Sequence, residues 1–105
     1  MNGTAYLFYG VEIAAKSKDI ENLENVLDKR DDFELIFLGV FNPPQNHGKY
    51  YLAYKKSITA GEAVSLAGTQ LIDFDIDEEM IEFCKDYKVT IREEPQWWLG
   101  SCFSV

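Results

Sequence analysis

The segment Phe33-Glu34-Leu35-Ile36-Phe37-Leu38-Gly39-Val40-Phe41 constrains the fold more than any other part of the chain. At the two-residue period of a β-strand, Phe33, Leu35, Phe37 and Phe41 fall on one side and Ile36, Leu38 and Val40 on the other. A strand that is apolar on both sides has to be covered on both sides. A chain of 105 residues can build one compact core around such a strand but not two independent ones.

The remaining patterns suggest what supplies the cover. Residues 4–13 read as a strand, with Ala5, Leu7, Tyr9, Val11 and Ile13 on one face and Tyr6, Phe8, Gly10 and Glu12 on the other. Ser17 is the expected N-cap of a helix whose stripe is Ile20, Leu23, Val26 and Leu27, ended by Asp31-Asp32. The polar stretch from Asn42 to Gly48, rich in Pro and Asn, reads as a loop, and residues 49–59 return as a third, Tyr-rich strand. From Gly61 to Gly68 the signals are weak. Asp77-Glu78-Glu79 opens a second helix, with Met80, Phe83, Cys84 and Tyr87 as its buried stripe. Val89 to Ile91 suggest a short strand, Glu93-Glu94-Pro95 a turn, and residues 96–104 a last strand. This order predicts an α+β fold in one domain over residues 1–105. Its pattern is the ferredoxin-like βαββαβ sandwich, with two helices on one face of an antiparallel sheet.

Two helices cover one face only, which leaves Tyr6, Phe8, Ile36 and Leu38 on the other. The segment 61–72, with its small Ala and Ser side chains, is slight cover for such large residues. A second copy of the chain is therefore the expected cover, making these four residues a candidate homodimer face.

Charge narrows the partners. The net charge is −8, and it is uneven: seven basic and eight acidic residues up to position 60, three basic and ten acidic beyond it. Such a field repels phosphate, so neither direct nucleic-acid binding nor attraction to an anionic membrane is expected. Tyr50, Tyr51, Tyr54, Trp97 and Trp98 resemble a base-stacking platform only in being aromatic. Such platforms also carry basic residues, so core packing is the expected use, with one Trp on each sheet face. The densest acidic run, Asp73, Asp75, Asp77, Glu78 and Glu79, continued by Glu82, is a candidate surface for a basic protein partner.

The same run does not have calcium-loop spacing. Counting from Asp73, Glu78 stands where a Gly is needed and Cys84 where a Glu is needed. No metal and no other cofactor is expected. Cys84 and Cys102 are neither a disulfide framework nor a metal set; they are expected as buried, reduced thiols. His47, the single histidine, lies in the polar loop without a nucleophile in sequence range, and the glycines never cluster into a phosphate loop. No catalytic residues emerge, so the chain is expected to be non-enzymatic. No run approaches the roughly 18 apolar residues of a membrane span, and residues 1–4 lack signal-peptide character, so a cytoplasmic setting is expected.

Several stretches resemble a group of small uncharacterised proteins found mainly in phage genomes. They are Tyr9-Gly10-Val11, Tyr54-Lys55-Lys56-Ser57-Ile58, Met80-Ile81-Glu82-Phe83-Cys84 and Glu94-Pro95-Gln96-Trp97-Trp98-Leu99-Gly100-Ser101. The group has no assigned activity, so the resemblance implies a viral or prophage origin and no site residues. The leading expectation is thus a non-enzymatic protein-interaction module acting as a homodimer. Two alternatives stand beside it: an acidic phage-type inhibitor that occupies the nucleic-acid-binding surface of a host protein, and a small-molecule-binding protein.

Overall fold

The computed structural model describes residues 2–14, 16–41, 47–61 and 74–104. In chain order the elements are β1 (Asn2–Ala14), α1 (Ser17–Leu27), β2 (Phe33–Phe41), β3 (His47–Tyr54), a 3-10 turn (Lys55–Ser57), β4 (Thr59–Gly61), α2 (Phe74–Asp86) and β5 (Thr90–Ser104). The weakly patterned segment 61–68, apart from Gly61, and most of the polar loop lie outside the described residues; His47 and Gly48 belong to β3.

The helices obey their apolar stripes. Ile20, Leu23 and Leu27 of α1 and Met80, Phe83 and Cys84 of α2 are buried together with Val11, Ile13, Phe33 and Leu52 of the sheet. Both helices therefore pack on the same sheet face. Ser17 is not the N-cap of α1: Lys16 holds that position in extended conformation without a side-chain cap, and its carbonyl accepts the Ile20 N–H at 3.0 Å. Helix α2 begins at Phe74 rather than Asp77, because Ile76 stands one turn before Met80 and extends the same stripe onto the core. It ends in a Schellman motif. Val89 N–H reaches the Cys84 carbonyl at 2.8 Å and Lys88 N–H the Lys85 carbonyl at 3.2 Å, with Lys88 in the left-handed region at φ 55°.

The sheet is mixed and five-stranded, in the order β3-β2-β5-β1-β4, and β3 also pairs with β1. The succession of strands and helices is compatible with a βαββαβ layout. The strand order and the additional β4 depart from the plain ferredoxin-like sandwich expected from the sequence. The third strand does not run on to Thr59. It stops at Tyr54, turns through Lys55–Ser57, and resumes as β4 against another stretch of β1. At that break the Ser57 hydroxyl accepts the Tyr9 N–H at 2.8 Å and donates to the Tyr54 carbonyl at 2.6 Å. The hydroxyl thus satisfies a backbone donor that neither neighbouring strand reaches.

Nor is there a turn at Glu93-Glu94-Pro95, which lies inside the continuous strand β5. β5 pairs antiparallel with β1 from Thr90 to Ser104, with register shifts between Gly10 and Glu12 and between Glu12 and Ile13. Where β1 passes the single residue Val11, β5 passes Glu94 and Pro95. A bulge accommodates a proline because the ladder there needs no donor from it.

The decisive pairing is short. Gly39, Val40 and Phe41 of β2 run parallel to Cys102, Phe103 and Ser104 of β5, the strand already paired with β1. With β2 on β3 and β3 on β1, the pairings form a closed ring of β1, β3, β2 and β5. Gly39, at φ 137°, lies where β2 meets β5 and adopts a backbone that L side chains avoid. Gly10 is required where β3 crosses β1, since a β-carbon there would stand 2.2 Å from the Leu52 carbonyl oxygen.

Lys88 carries the left-handed cap with a side chain that disfavours it. Lys88→Gly is expected to raise unfolding stability by about 1 kcal/mol in urea denaturation; an unchanged or lower midpoint would contradict the cap geometry.

Candidate functional site

Closure of the ring decides where the expected site residues lie. Phe8 is fully buried and Ile36 is 5% exposed, in a second cluster with Tyr51 and Ala53. Tyr6, Leu38, Ile58 and Trp98 pack against that cluster and are half-buried. Within it the Phe8 and Tyr51 rings meet edge to face at 5.5 Å, and Tyr51 and Trp98 lie 4.7 Å apart. The Trp98 indole N–H donates to the Gly10 carbonyl at 2.8 Å. Neighbouring Trp97 points to the helix side, where its ring meets Tyr9 at 5.6 Å. Of the four residues expected at a homodimer face, Phe8 and Ile36 are thus buried within the single chain, and Tyr6 and Leu38 are half-buried.

Glu12 shares this face. The sequence reading placed it there as the polar member of a half-aromatic row, but its burial emerges only from the strand register. Glu12 stands opposite Tyr51, and its side chain is 6% exposed. Lys49 Nζ lies 3.2 Å from Glu12 Oε1, and the Tyr51 hydroxyl donates to the same oxygen at 3.4 Å. A buried carboxylate needs such partners, since an unpaired charge would cost several kcal/mol. Burial, reinforced by the Glu12 carboxylate, pushes the Tyr51 phenol up to about 12.

Of the acidic run, Asp73 lies outside the described residues. Asp75, Glu78, Glu79 and Glu82 are exposed on α2. Asp77 is different: it is half-buried and accepts a hydrogen bond from the Tyr9 hydroxyl at 2.8 Å, fastening α2 to β1. Burial, then the Asp77 hydrogen bond, pushes the Tyr9 phenol up to about 12.

A cluster that sequence reasoning missed stands beside α2. Arg30 donates to Asp32 through Nε at 2.9 Å and Nη2 at 2.8 Å, a bidentate pair. Its guanidinium carbon sits 5.0 Å from the Phe83 ring centre and 5.5 Å from that of Phe33. The hydrogen bonds from Arg30 hold the Asp32 carboxyl below the usual carboxylate range. Asp31-Asp32 had read only as a helix stop. The one available signal was the Arg-x-Asp spacing directly before an aromatic strand. The pair borders an open groove of about 440 Å³ that Lys56, Ile76 and Glu79 also line.

Cys84 is buried, and desolvation pushes its thiol up to about 11. Cys102 is half-buried rather than fully enclosed, and both cysteines are free. The side chain of His47 lies outside what the structure describes. Among the described residues no group of three or more His, Cys, Asp or Glu side chains gathers as a metal site, and no helix is long and apolar enough to cross a membrane. The chain matches no protein-family model, no curated protein and no solved structure.

Raised phenol values favour the neutral form in the folded chain. The stability from Tyr9 and Tyr51 is therefore intact below their unfolded value of 10 and is lost as pH climbs toward 12. Stability measured across that window is expected to fall, and Tyr51→Phe is expected to make the fall shallower. An identical profile in the variant would contradict the burial of this hydroxyl against Glu12.

Proposed function

We propose that the chain is a non-enzymatic protein-interaction module whose acidic side meets a basic surface of another protein. One observation carries the reading. Among the described residues, buried Glu12 is engaged by Lys49 and Tyr51, half-buried Asp77 by Tyr9, and the more exposed Asp32 by Arg30. Asp75, Glu78, Glu79 and Glu82 are exposed and, among the described residues, make no ion pair. A row of exposed carboxylates presents a field that draws a basic partner and speeds its encounter. The nucleic-acid-binding surface of a host protein has the matching charge. A cytoplasmic setting and a viral or prophage origin accompany this reading.

A second copy of the chain is not part of the proposal. The argument for a homodimer was a bare apolar face, and Phe8 and Ile36 are buried without one. Sedimentation at micromolar concentration is expected to report a monomer of 12.1 kDa; about twice that mass would restore the homodimer.

The partner reading has its own test. Immobilised chain is expected to capture from cell extract a protein with a pI above about 9 and to release it as salt rises. The triple change Glu78→Gln, Glu79→Gln, Glu82→Gln is expected to weaken that capture at least tenfold. Retention near 1 M salt, where the Debye length is about 3 Å, or indifference to the triple change would overturn the reading.

A further inference from the structure

The inner face of the closed ring contains a cavity of about 170 Å³. Tyr6 of β1, Ile36 of β2, Ile58 after the 3-10 turn and Cys102 of β5 line it, and Glu34 completes its wall. Around it, Phe8, Tyr51 and Trp98 pack ring against ring. Leu38 takes up the space that Gly100 leaves, its Cδ1 lying 2.6 Å from where a β-carbon at position 100 would stand. An apolar cavity of about 150 Å³ is large enough to take benzene.

Glu34 gives this cavity a polarity. Its register partner Ala53 belongs to the buried cluster inside the ring, so Glu34 shares the inner face with Ile36. Ile36 is buried and Glu34 is exposed. The apolar wall therefore lies inside and the carboxylate at the mouth. That carboxylate is not neutralised by the chain's own cations. All ten Lys and Arg residues lie among the described residues, and the ion pairs they make are Lys49 with Glu12 and Arg30 with Asp32. None of the ten lines the cavity. A site that is apolar within and negative at its rim selects a ligand of the converse arrangement.

We propose that this cavity binds a small organic ammonium ion. Its apolar body, up to the size of a benzene ring, lies against Ile36, Ile58 and Tyr6, and its charge rests on Glu34. An anion would meet Glu34 at the mouth. A bare metal ion would find a single carboxylate, too few ligands to hold it. A neutral isostere would fill the same space but forgo the charge-assisted hydrogen bond. The site is separate from the exposed acids of α2 and does not rest on their role.

The test uses the whole chain with benzylammonium, benzyl alcohol and benzoate, which share a ring and differ in charge. Benzylammonium is expected to bind saturably and to shift the methyl resonances of Ile36 and Ile58 through its ring current. It is also expected to slow alkylation of half-buried Cys102 by iodoacetamide, a neutral reagent, in an assay where Cys84 is buried. Benzyl alcohol is expected to bind about tenfold more weakly, and benzoate not to bind. Glu34→Gln, a change at an exposed residue, is expected to bring benzylammonium down to the level of benzyl alcohol. The triple change on α2 is expected to leave binding intact. Unmoved Ile36 and Ile58 methyls, or equal affinity for the amine and the alcohol, would overturn the proposal. Loss of binding in the α2 variant would overturn it as well and assign the contact to general surface charge.

Discussion

The rest of the molecule depends on three residue pairs, Gly39 with Cys102, Val40 with Phe103 and Phe41 with Ser104. Without them β2 and β3 would be one wing of an open sheet, and the row Tyr6, Phe8, Ile36, Leu38 would face outward. With them the β2–β3 hairpin returns to the far edge of β5 and encloses that row. The devices that permit it are local. Gly39 takes a backbone that a side chain would oppose, Gly10 lets β3 approach β1, and the bulge at Glu94-Pro95 adds bend and twist to the long β1–β5 ribbon. Among the described residues, the two-faced strand is therefore covered by two different means, helices on one side and the curvature of its own sheet on the other.

Electrostatics follows from that enclosure. Among the described residues, the acids drawn into or under the fold, Glu12 and Asp77, each have an immediate partner, and neither partner comes from the exposed face of α2. Folding thus sorts the carboxylates. Among the described residues, those near the sheet are ion-paired with Lys49 or Arg30 or hydrogen-bonded by a tyrosine hydroxyl, and Asp75, Glu78, Glu79 and Glu82 stay on the surface. That sorting, and not the total charge alone, is what supports an interaction role.

Much of this was legible in the sequence and some was not, for identifiable reasons. The sides taken by Phe33, Leu35, Ile36 and Leu38 follow from period two alone, as does the parting of Trp97 from Trp98. The stripes of both helices were equally plain. What covers the second face was not, because three parallel pairs between residues some 60 positions apart leave no local pattern, and such contacts are the ones propensity does not see. Pro95 reads as a turn signal in isolation and is a bulge only because β1 lies beside it. Ser17 has the chemistry of an N-cap, yet the helix starts where the Lys16 carbonyl meets Ile20. The acids of α2 were recognised as a surface, but Asp77 could not be separated from its neighbours until Tyr9 was placed. The Glu12 site was hidden for a related reason: its partners Lys49 and Tyr51 become neighbours only through the β1–β3 register.

Ring closure is the central claim, and interproton contacts across the short parallel ladder test it most directly. In a nuclear Overhauser spectrum of the chain, backbone protons of Gly39, Val40 and Phe41 are expected to show cross-peaks to those of Cys102, Phe103 and Ser104. Cross-peaks between β1 and β5 without any between β2 and β5 would contradict the account, because the sheet would then be open and its aromatic face uncovered.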